Sequence, residues 1–186
     1  QPGDSTLDGP RRAWRGTLAC ISQIDDVFGR LLRFLDDMGL SDSTIVIYGS
    51  DHGCYHGIHG LLEKAPGICS DAICRIPLIW RVPGISPGGT VCQALVESVD
   101  IAPTLAHLCA LPPMESADGL DIRQLLEGKE EEVRQVAVTE NAWSRSIRWD
   151  NWRMVHYPRG MYEDEDPGEL YAIGDDPNET TNFYND

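Results

Sequence analysis

Asp51, His52, His56 and His59 fall within nine residues, and Lys64 follows five positions later. A carboxylate and imidazoles can hold a divalent cation, and a nearby lysine can stabilise negative charge as a bond to an anionic group breaks. By spacing alone, Asp51, His52, His56 and His59 could also form a zinc site. Cys54 lies in the same stretch, but an isolated loop thiol is more often only a thiol. The bland reading of the Asp-His-Gly triplet at 51–53 is a capped turn helped by Gly53. Which reading holds depends on where the fold puts the triplet.

Upstream, apolar residues recur at helical spacing from Leu18 through Ile21, Ile24, Phe28, Leu31 and Leu35 to Met38, which predicts a helix over about 12–38 with Gly39 as its C-terminal cap. The run Thr44-Ile45-Val46-Ile47-Tyr48 is β-branched and apolar on both faces. That pattern suits a buried strand of a parallel sheet, reached by a helical crossover. The strand stops at Gly49-Ser50-Asp51-His52-Gly53, so Asp51 and His52 lie at a carboxyl end, where open α/β sheets bind ligands.

A loop rich in Gly and His leads to a second strand at 76–80, starting near Pro77. Asp100 is placed to cap a short helix over 102–109, with Pro103 in its first turn. One or two helical turns are expected over 119–126 and a strand over 133–139. Asp150-Asn151 between the runs 146–149 and 152–156 suggests a two-residue hairpin, and the last thirty residues read as an acidic loop. The expected fold is α/β: a mixed, largely parallel sheet flanked by helices over 1–132, then a small antiparallel unit over 133–186.

With 41% hydrophobic and 24% charged residues the chain is globular in composition, and no apolar run is long enough to cross a bilayer. A net charge of -15, with acidic clusters at 130–132 and 163–166, argues against nucleic acid as a partner. The same charge offers no long-range attraction to an anionic substrate, so such a substrate would depend on local cations. The six cysteines lack C-x-x-C and zinc-ribbon spacing. Cys20 and Cys109 fall in amphipathic helical patterns, which favours reduced, buried thiols; an even count is also what a disulfide-bonded secreted chain carries. The chain opens on Gln1 and a Pro/Gly/Asp stretch, without Met or a signal peptide, as an excised fragment would.

The segment Ser50-Asp51-His52-Gly53, then His59-Gly60, Lys64 and Arg75-Ile76-Pro77-Leu78-Ile79 resembles the sulfatases of the alkaline-phosphatase superfamily. Members carry a strand ending S-D-H-G, a later H-G, a lysine thirteen positions after the aspartate and a V/I-P-L-I strand. Ile24-Asp25-Asp26-Val27-Phe28-Gly29-Arg30 resembles the helix before the metal strand, and Val99-Asp100-Ile101-Ala102-Pro103-Thr104-Leu105 the family's V-D-x-x-P-T-L helix. Glu169-Leu170-Tyr171 and Asp176-Pro177-Asn178-Glu179-Thr180-Thr181-Asn182 resemble its closing stretch. That motif also produces the glycosylation triplet at Asn178, which therefore carries no weight.

The resemblance implies that Asp51 and His52 are ligands of one divalent metal, commonly Ca²⁺, with Mn²⁺ or Zn²⁺ as alternatives. It implies that Lys64 contacts the sulfate oxygens, and it makes His59 a second catalytic candidate at a recurrent position. His56 departs from the pattern. The implied activity is hydrolysis of a small-molecule or carbohydrate sulfate ester. The alternatives are a phosphonate monoester or phosphodiester hydrolase of the same superfamily, or a noncatalytic module keeping the fold. Sulfatases use a formylglycine made in a C/S-x-P/A-x-R motif, and no such motif occurs in these residues. The early Asp-Asp pair of metal ligands is likewise absent. Both are expected in a missing N-terminal part, and the chain alone is expected to be inactive.

Overall fold

The computed structural model describes residues 5–61, 63–64, 68–158, 160 and 167–185; the acidic cluster at 163–166 and the opening residues 1–4 lie outside them. The first element is a 33-residue helix, α1 (Ser5–Asp37). It ends as its sequence requires: Gly39 takes a left-handed φ of 66°. The Gly39 amide donates to Asp36 O at 3.0 Å and the Leu40 amide to Leu35 O at 2.8 Å, a Schellman closure.

α1 meets the strand β1 (Val46–Gly49) through an edge-to-face contact of Phe28 with Tyr48 at 5.4 Å, and Leu35 near its end is buried. Leu18, Ile21, Ile24, Val27, Leu31, Phe34 and Met38 remain exposed. Cys20 is exposed as well, contrary to the buried role expected of it, because α1 is covered along one narrow line only. Cys109, at the C-terminal end of its helix, is also exposed, and no disulfide joins the six cysteines.

After the single helical turn α2 (Asp71–Cys74), β2 (Leu78–Arg81) pairs antiparallel with β1, from Val46 opposite Arg81 to Gly49 opposite Leu78. This corrects the parallel pairing expected for β1. Apolarity on both faces reports burial and says nothing of direction, and 28 intervening residues also allow a return loop. The short helices α3 (Ile101–Leu108) and α4 (Arg123–Leu126) follow.

Asp100 does not cap α3 with its side chain. Its fully buried carboxylate turns back to the Glu97 amide at 2.7 Å, accepts the Leu120 amide at 2.7 Å, and takes both terminal nitrogens of Arg134 at 2.7 and 2.6 Å. A bidentate guanidinium offsets the cost of burying that charge.

The remainder is a four-stranded antiparallel meander, β3 (Val136–Glu140), β4 (Arg145–Trp149), β5 (Trp152–His156) and β6 (Gly168–Tyr171). Asp150, at φ 42°, makes the two-residue turn between Trp149 and Trp152. β6 lies in a stretch expected to be loop; its four residues carry little periodic signal and are held by pairing with β5. The α/β class with a C-terminal antiparallel unit stands, with both sheets antiparallel in this portion. No helix among the described residues is long and apolar enough to cross a membrane.

Candidate active site

The triplet leaves the end of β1 because Gly53 lets two backbones touch. A Cβ on Gly53 would lie 1.9 Å from the Ala72 carbonyl oxygen, and the Gly53 amide donates to Ile73 O at 2.8 Å. This contact seats the 50–53 turn against α2. Within the turn, Ser50 Oγ donates to the His52 carbonyl at 2.8 Å and the His52 amide donates to Asp51 Oδ1 at 3.0 Å. That amide bond, first among several contributions, holds the Asp51 carboxyl below its ordinary range.

His52 has a defined tautomer. Its Nδ1 lies 2.8 Å from the Gly53 carbonyl, which can only accept, so Nδ1 carries the proton and Nε2 presents a lone pair. Asp51 Oδ2 is 3.3 Å from Nε2, and Lys64 Nζ donates to Nε2 at 3.0 Å. Lys64 thus meets the imidazole from one side and Asp51 from another, and its positive charge also favours the Asp51 carboxylate. The Asp51 side chain is 84% exposed and that of His52 36%, so both donors remain open to a ligand.

The structure therefore gathers Asp51, His52 and Lys64. It takes His59 elsewhere: at φ 53°, His59 turns its ring between Tyr55 and Tyr171, at centroid distances of 6.2 and 6.5 Å, and its Nε2 lies 3.7 Å from Glu179 Oε2. His56 meets Trp14 of α1: the rings are 4.6 Å apart and the indole donates to His56 O at 2.9 Å. Among the described residues no group of three or more His, Cys, Asp or Glu could hold a metal ion. The zinc site of Asp51, His52, His56 and His59 that spacing allowed is therefore not assembled.

Behind the turn lies a charged cluster that spacing did not reveal. Arg148 Nη1 donates to both oxygens of Asp71 at 3.1 and 3.0 Å, and the buried Arg153 also bonds Asp71. Arg153 Nε lies 3.1 Å from Glu179 Oε1, and the Asp71 amide is 3.2 Å from both oxygens of Glu179. Its signal in the sequence was the closing D-P-N-E-T motif, which places an acid at 179. Beside it, Cys69 Sγ accepts from Ser144 Oγ at 3.2 Å and Asn141 Nδ2 at 3.3 Å. A hydrogen bond from the Cys74 thiol, the Ser144 hydroxyl and the Arg153 charge draw the Cys69 thiol down to about 6. A separate, mainly apolar cavity of about 920 Å³ runs along β2 and α4, and Asp51, His52 and Lys64 are not in its lining.

A family model described as Sulfatase matches residues 4–110. An N-acetylglucosamine-6-O-sulfatase of Bacteroides thetaiotaomicron is 29% identical over 182 residues, covering 91% of this chain and 32% of that protein. A choline-sulfatase of Rhizobium meliloti is 31% identical over 187 residues, covering 97% of this chain and 35% of the relative. A solved structure of a protein in complex with its substrate D-glucosamine-2-N,6-O-disulfate superposes with a TM-score of 0.79 at 28% identity, over 90% of this chain and 35% of the other. The chain thus spans about a third of the length of the curated relatives it matches.

Proposed function

Because this chain belongs to the sulfatase family, we propose that it carries one side of a metal-dependent sulfate-ester hydrolase site, with Asp51 and His52 as metal ligands and Lys64 as the cation on the sulfate. The observation that supports this is the meeting of Asp51 Oδ2 and Lys64 Nζ at the unprotonated Nε2 of His52, at 3.3 and 3.0 Å.

The donor set fits a divalent cation in part. One ionised carboxylate and one imidazole nitrogen share an exposed space, and a hard cation such as Ca²⁺ would draw its remaining oxygen ligands from elsewhere. Ca²⁺ is proposed ahead of Mn²⁺ or Zn²⁺; when bound, it would supply polarisation of the sulfate group. Asp51 contributes charge, the Gly53 carbonyl keeps the His52 lone pair free, and Lys64 stabilises charge on the sulfate oxygens as the ester bond breaks. His59, on the same loop as Lys64, serves the site by the position it gives that loop.

The further metal carboxylates and the formylglycine of the family are assigned to the remaining part of the protein. For substrate, the carbohydrate sulfates named for two similar proteins favour a sulfated sugar. The test compares chromogenic sulfate and phosphate esters with the complete protein. Faster sulfate turnover is expected. Faster phosphate or phosphonate turnover would move the site to the other branch of the superfamily, and turnover of neither would mark a noncatalytic module.

A further inference from the structure

The reading of Lys64 leaves open what holds it in place. Lys64 is exposed, at the far end of a loop that begins at Gly53. Among the described residues its backbone bonds are local: the Tyr55 amide to Glu63 O at 3.4 Å, the Gly57 amide to Leu61 O at 2.6 Å, and the Ile58, Gly60 and Leu61 amides to Tyr55 O, Gly57 O and Ile58 O at 2.9, 3.0 and 3.0 Å. Trp14 of α1 meets the loop at His56, and two further side chains anchor it. Tyr55 is fully buried and donates to Ile68 O at 2.9 Å. His59 crosses to the C-terminal unit, where Tyr171 faces its ring and Glu179 its Nε2.

Glu179 is placed at some expense. It is 3% exposed and at a left-handed φ of 54°, a conformation few non-glycine residues adopt. Burial raises its pKa, so the protein works against its charge. A buried carboxylate persists where fixed partners surround it, and here these are Arg153 Nε at 3.1 Å, the Asp71 amide at 3.2 Å and His59 at 3.7 Å. Arg153 is spoken for: it also donates to Cys69 O at 2.8 Å and Ser146 Oγ at 2.9 Å, which ties it to β4 and to the segment before α2. Oε1 of Glu179 thus meets Arg153 of β5, Oε2 faces His59 of the loop, and the Asp71 amide lies 3.2 Å from both.

We infer that Glu179 is a positioning residue: held by Arg153 and the Asp71 amide, it anchors His59 and thereby sets where the loop presents Lys64 to His52. This rests on the reading of Lys64 as the sulfate contact. A loop carrying a charge stabiliser must be fixed to well under 1 Å, since displacement by about that distance costs on the order of 10²-fold in rate. Among the described residues neither Asp51 nor His52 touches this anchor directly; their turn rests on Ala72 and Ile73 of α2, which Arg148 and Arg153 still hold through Asp71 when Glu179 is changed.

The test uses the complete enzyme. Glu179→Gln removes the charge at nearly constant size and should lower kcat for a chromogenic sulfate ester roughly 10- to 100-fold, with calorimetric Ca²⁺ affinity unchanged. Amide exchange at Tyr55, Gly57 and Leu61 should accelerate. His59→Asn tolerates the left-handed backbone and leaves the contact of Glu179 with Arg153 intact, so it answers the question if Glu179→Gln does not fold. The double variant should be no slower than the slower single one, because both act through one contact. Wild-type kcat in a folded Glu179→Gln or His59→Asn, while Lys64→Ala is slow, would overturn the anchor alone. Ca²⁺ affinity falling in step with kcat would also overturn it, by placing the effect at the metal ligands. Wild-type turnover by Lys64→Ala would instead overturn the reading of Lys64 and the anchor with it.

Discussion

Lys64 reaches back twelve residues to donate to His52 Nε2 at 3.0 Å. The same imidazole gives its other nitrogen to the Gly53 carbonyl at 2.8 Å. Its orientation is therefore set from the backbone, and its free lone pair is directed at a cation.

Lys64→Ala in the complete enzyme should fold normally, because the side chain is exposed. Its kcat should fall by about 10²–10³, the usual effect of removing one group aimed at developing charge. Circular dichroism and steady-state kinetics on a chromogenic sulfate ester check the two halves of this expectation.

Gly53→Ala should be costly for its size. The added methyl would meet the Ala72 carbonyl oxygen at 1.9 Å, and that oxygen belongs to backbone. Forcing the turn away from α2 should cost about 1–3 kcal/mol, as overpacking does, and displace Asp51 and His52 together. Denaturant unfolding would register the first effect and metal titration the second.

The turn and its chemistry were legible because the useful residues stand close in the chain: Asp51, His52 and Lys64 share one loop at the end of one strand. α1 was equally legible, with seven apolar residues at helical spacing and Gly39 as its stop. Strand direction was not, because the 44–48 run carries burial information only. Glu179 was hidden for another reason. An acid in a polar turn reads as solvated, and its burial depends on Arg153 and on an Asp71 amide 108 residues away in sequence. Asp100 misled in the same way: its spacing suited a cap for α3, and the partner that decided its role, Arg134, lies 34 residues on.

Cys69 should make stability depend on pH. Its thiol is lowered from 9.0 to about 6, chiefly by the hydrogen bond from Cys74. A depressed folded value means that the folded state releases this proton first, so the stabilisation is complete above the unfolded value and is lost as pH falls through the folded one. The stability difference between wild type and Cys69→Ser should therefore grow from about pH 6 to 9. Urea midpoints at several pH values would show it, and a flat difference would remove the thiolate from the cluster.

α1 leaves Leu18, Ile24, Leu31 and Phe34 among its exposed apolar residues, and apolar surface gathered on one element favours association. The 186-residue chain by itself should associate as its concentration rises. Leu18→Glu with Leu31→Glu should weaken that association, and sedimentation velocity measures both.

The decisive measurement is the metal content of the complete protein, purified as wild type and as Asp51→Ala, by elemental analysis. The wild type should carry one divalent ion per active site. The variant should carry none, and should lose sulfate-ester hydrolysis with it. Equal metal content in the two proteins would contradict Asp51 as a ligand, and with it the site built on Asp51 and His52.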